Sequence, residues 1–143
     1  MAMTGRIKVG LVGIGNCFSG LIQGIEYYKK NPSQEVTGII HDTLAGYGIH
    51  DIDFVCGFDV AENKVGTPLM NAIYESPNMV NYVAKDDMPK TDAMIYESPL
   101  LDGVGIWVEN KINPLTSSKT IEQLTADVKQ TIKDTGVEII VSY

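Results

Sequence analysis

The chain has 143 residues, a formal net charge of −7 and 44% hydrophobic residues, a composition typical of one ordinary globular domain. Eleven basic residues against eighteen acidic ones argue against nucleic acid or anionic membranes as partners, because both attract clustered Lys and Arg. No apolar run approaches the roughly 20 residues that cross a bilayer, and no signal-peptide segment precedes the first strand. We therefore expect a cytoplasmic protein that binds neither nucleic acid nor a membrane.

The cysteines and histidines give no sign of a metal centre. Cys17 and Cys56 lie in different motifs without CxxC spacing, so we expect reduced thiols rather than a zinc site or a disulfide. His41 and His50 have no carboxylate or cysteine in a ligand pattern beside them. We predict no metal site and assign no catalytic residue. Lys64 is isolated in the sequence, and we expect it on the solvated surface.

The first half of the chain predicts a strand, a helix, an insertion and a second strand. Residues 7–12 are apolar and β-branched, which is typical of a buried parallel strand. An apolar stripe from Phe18 to Tyr28 predicts a helix that lies on a sheet, and the helix ends at residues 31–33. Residues 31–51 show no long periodicity and are interpreted as an insertion loop. The second strand covers residues 53–59.

The second half continues the alternation of helices and strands. Helical spacing covers residues 63–74, a weaker strand 93–96, a helix 116–135 that Gly136 ends, and a fourth strand 137–141. This alternation predicts an α/β fold, a Rossmann-type domain with a parallel sheet in the order 3-2-1-4 and helices on both faces. We assign residues 1–143 to one such domain. The sheet is incomplete, because its last strand leaves an open edge.

A glycine motif joins the first strand to the first helix, the context in which such a motif indicates a nucleotide. Gly13 would permit the tight turn, and Gly15 would leave room for a diphosphate beside the backbone. The N–H groups of Asn16, Cys17 and Phe18 would then face the phosphates, assisted by the helix dipole. The alternative is a plain glycine turn in an α/β protein that binds no nucleotide.

One position departs from the dinucleotide pattern GxGxxG. Its third glycine should fall at position 18, where this chain has Phe18. That glycine normally lets the helix pack closely on the strand. Either the helix stands further from the sheet here, or Gly20 or Gly24 provides the close contact.

Asp59 ends the second strand, where a carboxylate can accept hydrogen bonds from the adenosine ribose hydroxyls. It lies beyond the usual spacing of about 20 residues, and the insertion at 31–51 accounts for the excess. An acid here repels a ribose 2′-phosphate, so NAD is favoured over NADP. The alternative is a turn-forming aspartate.

Three further residues complete the predicted cofactor-binding set. Asp102, beside Gly103, either lines the cofactor site or forms a simple turn. Ser142 and Tyr143 follow the last strand, at the carboxyl edge where open α/β sheets bind ligands, and we favour a contact on the nicotinamide side. The full set is Gly13, Gly15, Asn16, Cys17, Asp59, Asp102, Ser142 and Tyr143.

Several short runs, in order along nearly the whole chain, resemble one family. They are GIGNC at 13–17, QGIEYY at 23–28, DIDFV at 51–55, FDV at 58–60, KVG at 64–66, LDG at 101–103 and VSY at 141–143. Together they resemble the short prokaryotic form of myo-inositol-1-phosphate synthase (inositol-3-phosphate synthase). QGIEYY and LDG are far more specific than the glycine pair.

The resemblance implies the amino-terminal, NAD-binding part of an isomerase. The family converts glucose 6-phosphate to 1D-myo-inositol 3-phosphate by NAD-dependent oxidation, enolisation, intramolecular aldol cyclisation and reduction. Its enolising lysines and phosphate-binding residues lie in a later domain outside these 143 residues, so glucose 6-phosphate would need that domain, and the full-length family forms homotetramers. Two alternatives stay open: the cofactor-binding half of another oxidoreductase, and a non-enzymatic dinucleotide-binding module.

Overall fold

Four parallel strands form the central sheet of the computed structural model, which describes residues 5–32 and 38–143. The strands along the chain are β1 (Ile7–Val12), β2 (Thr43–Leu44), β3 (Tyr47–Gly48), β4 (Ile52–Asp59), β5 (Met94–Glu97) and β6 (Ile139–Ser142). The sheet order is β5-β4-β1-β6, which confirms the α/β class and the parallel sheet. The predicted order 3-2-1-4 counts only these four strands. Its numbers do not carry over, because the described residues contain two further strands, β2 and β3.

The insertion contains structure that the sequence interpretation missed. β2 and β3 pair as an antiparallel hairpin whose two turn residues, Ala45 and Gly46, have φ of 51° and 87°. Two successive residues with positive φ are typical of a tight two-residue hairpin turn. A short 3₁₀ turn, Ile49–Asp51, leads into β4. The prediction of a loop over 31–51 is therefore wrong from residue 43 onward, and residues 33–37 lie outside the described residues.

The first helix, α1 (Asn16–Lys30), lies where it was predicted. It begins directly after Gly15, which supplies no side-chain cap. It ends at Asn31, whose side-chain amide donates to the Tyr27 carbonyl at 2.8 Å, and Pro32 follows. Proline cannot continue the hydrogen-bond ladder, so the stop is local in origin.

The second predicted helix, over residues 63–74, is mostly wrong. Only α2 (Leu69–Ala72) is helical. Gly66 has a φ of +80°, a left-handed conformation that ends any helical run through it. Pro68 directly precedes α2, at its N-cap. Residues before it form turns instead, in which the Val65 N–H donates to the Ala61 carbonyl at 3.0 Å.

The last helix, α3 (Ile121–Thr135), begins five residues later than the sequence predicts. Thr120 and Gln123 form a capping box, in which each side chain accepts from the other's backbone N–H. That reciprocal pair fixes the start of the helix. Gly136 ends it in the left-handed conformation with a φ of +67°, as predicted.

The two faces of the sheet carry different helices. The main core contains Val9 and Leu11 of β1 together with the buried residues of α1, among them Phe18 and Ile22. Gly10 points the other way, because successive strand residues alternate between faces. A Cβ at Gly10 would lie 3.2 Å from Val137, directly after α3. We call these faces the α1 side and the α3 side.

β4 contains one residue more than β1 needs. Phe54 lies opposite Val9, but Cys56 lies opposite Gly10, so Val55 has no partner of its own in that register. The irregularity is a bulge, in which two residues face one on the neighbouring strand. As a result Phe54 stays on the α1 side with Val9, and Cys56 lies on the α3 side with Gly10.

β6 is the edge strand of the sheet on the side of β1, and its outer edge is unpaired within the described residues. Within the described residues β6 pairs only with β1, and Ile139 and Ile140 are 48% and 44% exposed. β6 is thus an edge strand among the described residues. Separately, no helix in the described ranges is both long enough and apolar enough to cross a membrane.

Candidate functional site

The glycine loop between β1 and α1 adopts the tight turn that the sequence predicts. Gly13 has a φ of +82°, which favours glycine, and its N–H donates to the Phe58 carbonyl at 2.8 Å. The Gly15 N–H donates back to the Gly13 carbonyl, also at 2.8 Å. The loop therefore reverses within three residues, at the carboxyl edge of the sheet.

The start of α1 presents unused hydrogen-bond donors. Among the described residues, the backbone N–H groups of Asn16, Cys17 and Phe18 donate to no acceptor. The first N–H of the helix to form a hydrogen bond is that of Ser19, which donates to the Gly15 carbonyl at 3.0 Å. A Cβ at Gly15 would meet no described atom within 4 Å. Free donors beside open space at a helix start favour an anion, because the helix dipole adds partial positive charge there.

Phe18 does not obstruct this loop. Its side chain is fully buried in the main core, and its ring centroid lies 4.9 Å from that of Tyr143. The ring that replaces the expected third glycine thus points into the α1 side of the sheet. The outer face of the loop stays open at this position.

Neither alternative glycine in α1 provides the close contact. A Cβ at Gly20 would come no nearer than 4.0 Å to Val80, and one at Gly24 would meet no described atom within 4 Å. The tight approach occurs on β4 instead. A Cβ at Gly57 would lie 2.6 Å from Ile95 and 3.0 Å from Ile14. The strand glycine therefore lets Ile14, at the centre of the loop, pack onto the sheet.

Asp59 fastens the loop to the end of β4. Asp59 is 9% exposed, and its Oδ2 accepts from the Ile14 N–H at 2.7 Å. Its Oδ1 accepts from the Val60 and Ala61 N–H groups at 2.7 and 2.9 Å. These three bonds use most of the roughly four acceptor positions of a carboxylate. The residue lies where the ribose contact was predicted, and it also organises the loop itself.

Lys64 is not on the surface, so that expectation is wrong. Its side chain is 3% exposed, and its Nζ donates to the Ile14 carbonyl at 2.6 Å and to Asn78 Oδ1 at 3.2 Å. Burial lowers the pKa of Lys64, while the Asp59 and Glu75 carboxylates act to raise it. Only the KVG run pointed to this position, and neither spacing nor charge predicted that the turn after β4 folds it under the loop.

Asn78 and Asn16 join a second segment to the loop. The Asn78 side-chain amide donates to the Ile14 carbonyl at 3.0 Å, beside Lys64. The Asn16 Oδ1 accepts from the Met79 N–H at 2.7 Å. The predicted role of Asn16 concerns its backbone N–H, and this side-chain contact leaves that group free. Neither contact was predictable from the sequence pattern.

Gln23 ties α1 to the same segment from within the core. The side chain is fully buried, and its Nε2 donates to Ser19 Oγ and to the Val80 carbonyl, both at 2.9 Å. Its Oε1 accepts from the Tyr82 and Val83 N–H groups at 2.7 and 3.1 Å. All four hydrogen-bonding positions of the amide are therefore filled. This explains why the first residue of the QGIEYY run is polar.

The remaining predicted residues divide into two groups. Ser142 pairs in register with Val12, directly before the loop, and the Tyr143 carbonyl oxygen lies 3.2 Å from where a Cβ of Gly13 would be. The structure thus places these two beside the loop. Asp102 is exposed, and within the described ranges it makes no hydrogen bond or ion pair. No contact links Asp102 to the site.

Comparison with known proteins finds relatives that match nearly the whole chain in sequence. No protein-family model matches the chain. The inositol-3-phosphate synthase of Mycolicibacterium smegmatis is 36% identical over 97% of this chain, and that of Corynebacterium glutamicum is 37% identical over 98%. The chain spans 36% and 37% of the length of these two relatives.

A solved structure shares the fold. The crystal structure of a myo-inositol-1-phosphate synthase-related protein from Thermotoga maritima has a TM-score of 0.69 and covers 96% of this chain. This chain covers 34% of that structure, at 20% sequence identity. The likeness supports the parallel α/β arrangement described above.

Proposed function

We propose that the chain belongs to the inositol-3-phosphate synthase family and supplies the NAD-binding part of such an enzyme, because it is 36% and 37% identical to two of them over about a third of their length. The observation that carries the proposal is the row of unused N–H groups at residues 16–18, beside open space at Gly15. A diphosphate fits that arrangement, because it is an anion that accepts several hydrogen bonds at once.

Each residue of the loop has a role in this proposal. The N–H groups of Asn16, Cys17 and Phe18 bind the diphosphate. Asp59 holds the loop through the Ile14 N–H, and its remaining acceptor position takes a ribose hydroxyl. The negative charge of Asp59 disfavours a 2′-phosphate, so NAD is preferred over NADP. Ser142 and Tyr143 lie toward the nicotinamide, and Asp102 would join the site only through a rearrangement of its segment.

The whole reaction needs more than this segment. We propose that the complete enzyme converts glucose 6-phosphate to inositol 3-phosphate, with bound NAD accepting a hydride and later returning it. The residues described here bind and orient that cofactor. Binding of the sugar phosphate, movement of its protons and assembly into a homotetramer are assigned to the parts of those enzymes that this chain does not match.

NAD is expected to bind the chain and raise its thermal stability. A ligand that binds only the folded state stabilises it by about 2.7 kcal/mol at 100 times its Kd. Calorimetric titration gives the Kd, and thermal unfolding across a series of NAD concentrations should then follow it. NADP should bind more weakly than NAD.

Two glycines serve as a matched pair for this test. Gly15→Ala and Gly24→Ala both place a methyl group where no described atom lies within 4 Å, so both variants should fold. Only Gly15→Ala puts that methyl beside the proposed diphosphate, and we expect it to weaken NAD binding at least tenfold. Equal NAD affinities for the two variants would reject the proposed site.

The chain by itself is expected to form no inositol phosphate. With glucose 6-phosphate and NAD supplied, it should produce neither inositol phosphate nor a transient NADH absorbance, because the described site holds only the cofactor. Product can be followed by phosphorus NMR, with a full-length relative as the positive control. Turnover by residues 1–143 would place the enolising groups within this segment.

A further inference from the structure

A buried lysine lies directly beneath the glycine loop, and the proposed function does not use it. Lys64 is 3% exposed, and its Nζ is 2.6 Å from the Ile14 carbonyl oxygen. Burial of a lysine is costly unless its ammonium is hydrogen-bonded or paired. Within the described residues, Lys64 makes no ion pair. Neutral oxygens of Ile14 and Asn78, rather than a carboxylate in direct contact, therefore solvate its ammonium group.

We propose that Lys64 is a positioning residue for the diphosphate of the dinucleotide. This proposal rests on the proposed function. It keeps the Ile14 carbonyl turned inward, so that the loop shows the diphosphate only N–H groups. Its positive charge also lies behind the loop and favours an anion on the opposite side.

The loop geometry explains why the carbonyl must be held. Ile14 lies between the two glycines, where the backbone has the freedom to rotate. Its N–H is held by Asp59 at 2.7 Å, and its carbonyl by Lys64 and Asn78. Rotation of the Ile14–Gly15 peptide would turn a carbonyl oxygen toward the phosphates and repel them. The three side chains together fix the donor-only orientation.

Asn78 alone would satisfy part of this requirement. Its amide already donates to the Ile14 carbonyl at 3.0 Å, so a second neutral donor would complete the hydrogen bonding. What lysine adds is charge. A charge separated from its ligand by low-dielectric protein acts more strongly than it would through water. A charge effect has its own signature, because it acts on phosphorylated ligands and not on neutral ones.

The test compares ligands with and without the diphosphate. Binding of NAD, ADP-ribose and adenosine is measured by calorimetry on the wild-type chain and on Lys64→Met, which keeps the side-chain length without the charge. We expect about tenfold weaker binding of NAD and of ADP-ribose, and adenosine binding within twofold of wild type.

A second variant and a control complete the design. Lys64→Gln keeps a donor for the Ile14 carbonyl but removes the charge. It should weaken binding of the two diphosphates, by no more than Lys64→Met does, and leave adenosine within twofold even if Lys64→Met folds poorly. Lys85→Met removes an exposed lysine that pairs with Glu75, and it should leave all three affinities unchanged. If wild type binds NAD and the Lys64 variants bind it equally well, or lose adenosine to the same degree, the inference fails alone. If wild type binds no NAD, the proposed function fails.

Discussion

Asp59→Asn is expected to lower the free energy of unfolding by about 3 kcal/mol, since hydrogen bonds to a buried charged group contribute roughly 1.5–3 kcal/mol each. The wild-type carboxylate accepts from Ile14 on one oxygen and from Val60 and Ala61 on the other. A carboxamide has only one oxygen, so its NH₂ group must face at least one of these N–H donors. Urea unfolding measures the loss.

The same substitution should abolish detectable NAD binding at a temperature where the variant is folded. The Ile14 N–H would lose its anchor, and the glycine loop would no longer hold its donors in place. Asp53→Asn is the matched control in the same strand. Within the described residues, the Asp53 carboxylate makes only a partly exposed contact of 4.0 Å with Arg6, so this change should stay within about 0.5 kcal/mol. Similar unfolding of both variants would contradict the role given to Asp59.

Gln23→Glu is expected to destabilise the chain by about 3 kcal/mol or more at pH 8, because it buries a charge without a cationic partner. The introduced carboxylate still accepts from Tyr82 and Val83, but it repels the Val80 carbonyl and leaves that group without its donor. Chemical unfolding measures the change.

The pH dependence separates this effect from simple loss of packing. In the folded state the pKa of the introduced carboxyl should lie above the unfolded value of about 4.3, because burial favours its neutral form. The unfolded state then loses its proton first as pH rises, so the deficit grows with pH and is smaller at pH 5 than at pH 8. Gln123→Glu is the control. Gln123 is exposed in the capping box of α3, where a carboxylate accepts the Thr120 N–H equally well.

The elements with local causes were predictable from the sequence. β1 is a short apolar run and α1 carries an apolar stripe with helical spacing, and the ends of α1 and α3 carry local stop signals at Pro32 and Gly136. The parallel sheet followed from the alternation of strands and helices. The carboxylate at the end of β4 was also predictable, because Asp59 directly ends the second predicted strand, although it lies further from the glycine motif than usual.

The elements that depend on distant contacts were not predictable. Lys64 is buried only because the turn after β4 folds back under Ile14, and a charged residue in isolation predicts the surface. The segment from 63 to 74 has helical spacing, but the left-handed Gly66 prevents a helix over its first residues, and only Leu69–Ala72 is helical. The hairpin formed by β2 and β3 has two-residue strands, too short for an alternating pattern to register.

The unpaired residue Val55 has a consequence for the whole site. Phe54 and Asp59 are five positions apart, and in a regular strand an odd separation sends two side chains in opposite directions. The extra residue in the bulge reverses the alternation of side chains, so Phe54 and Asp59 lie on the same face of the sheet. One strand can therefore anchor the hydrophobic interior with an aromatic ring at one end and reach the glycine turn with an acid at the other. The bulge in the backbone therefore sets how Phe54 and Asp59 are placed relative to each other. Any engineered version of this strand must keep that bulge.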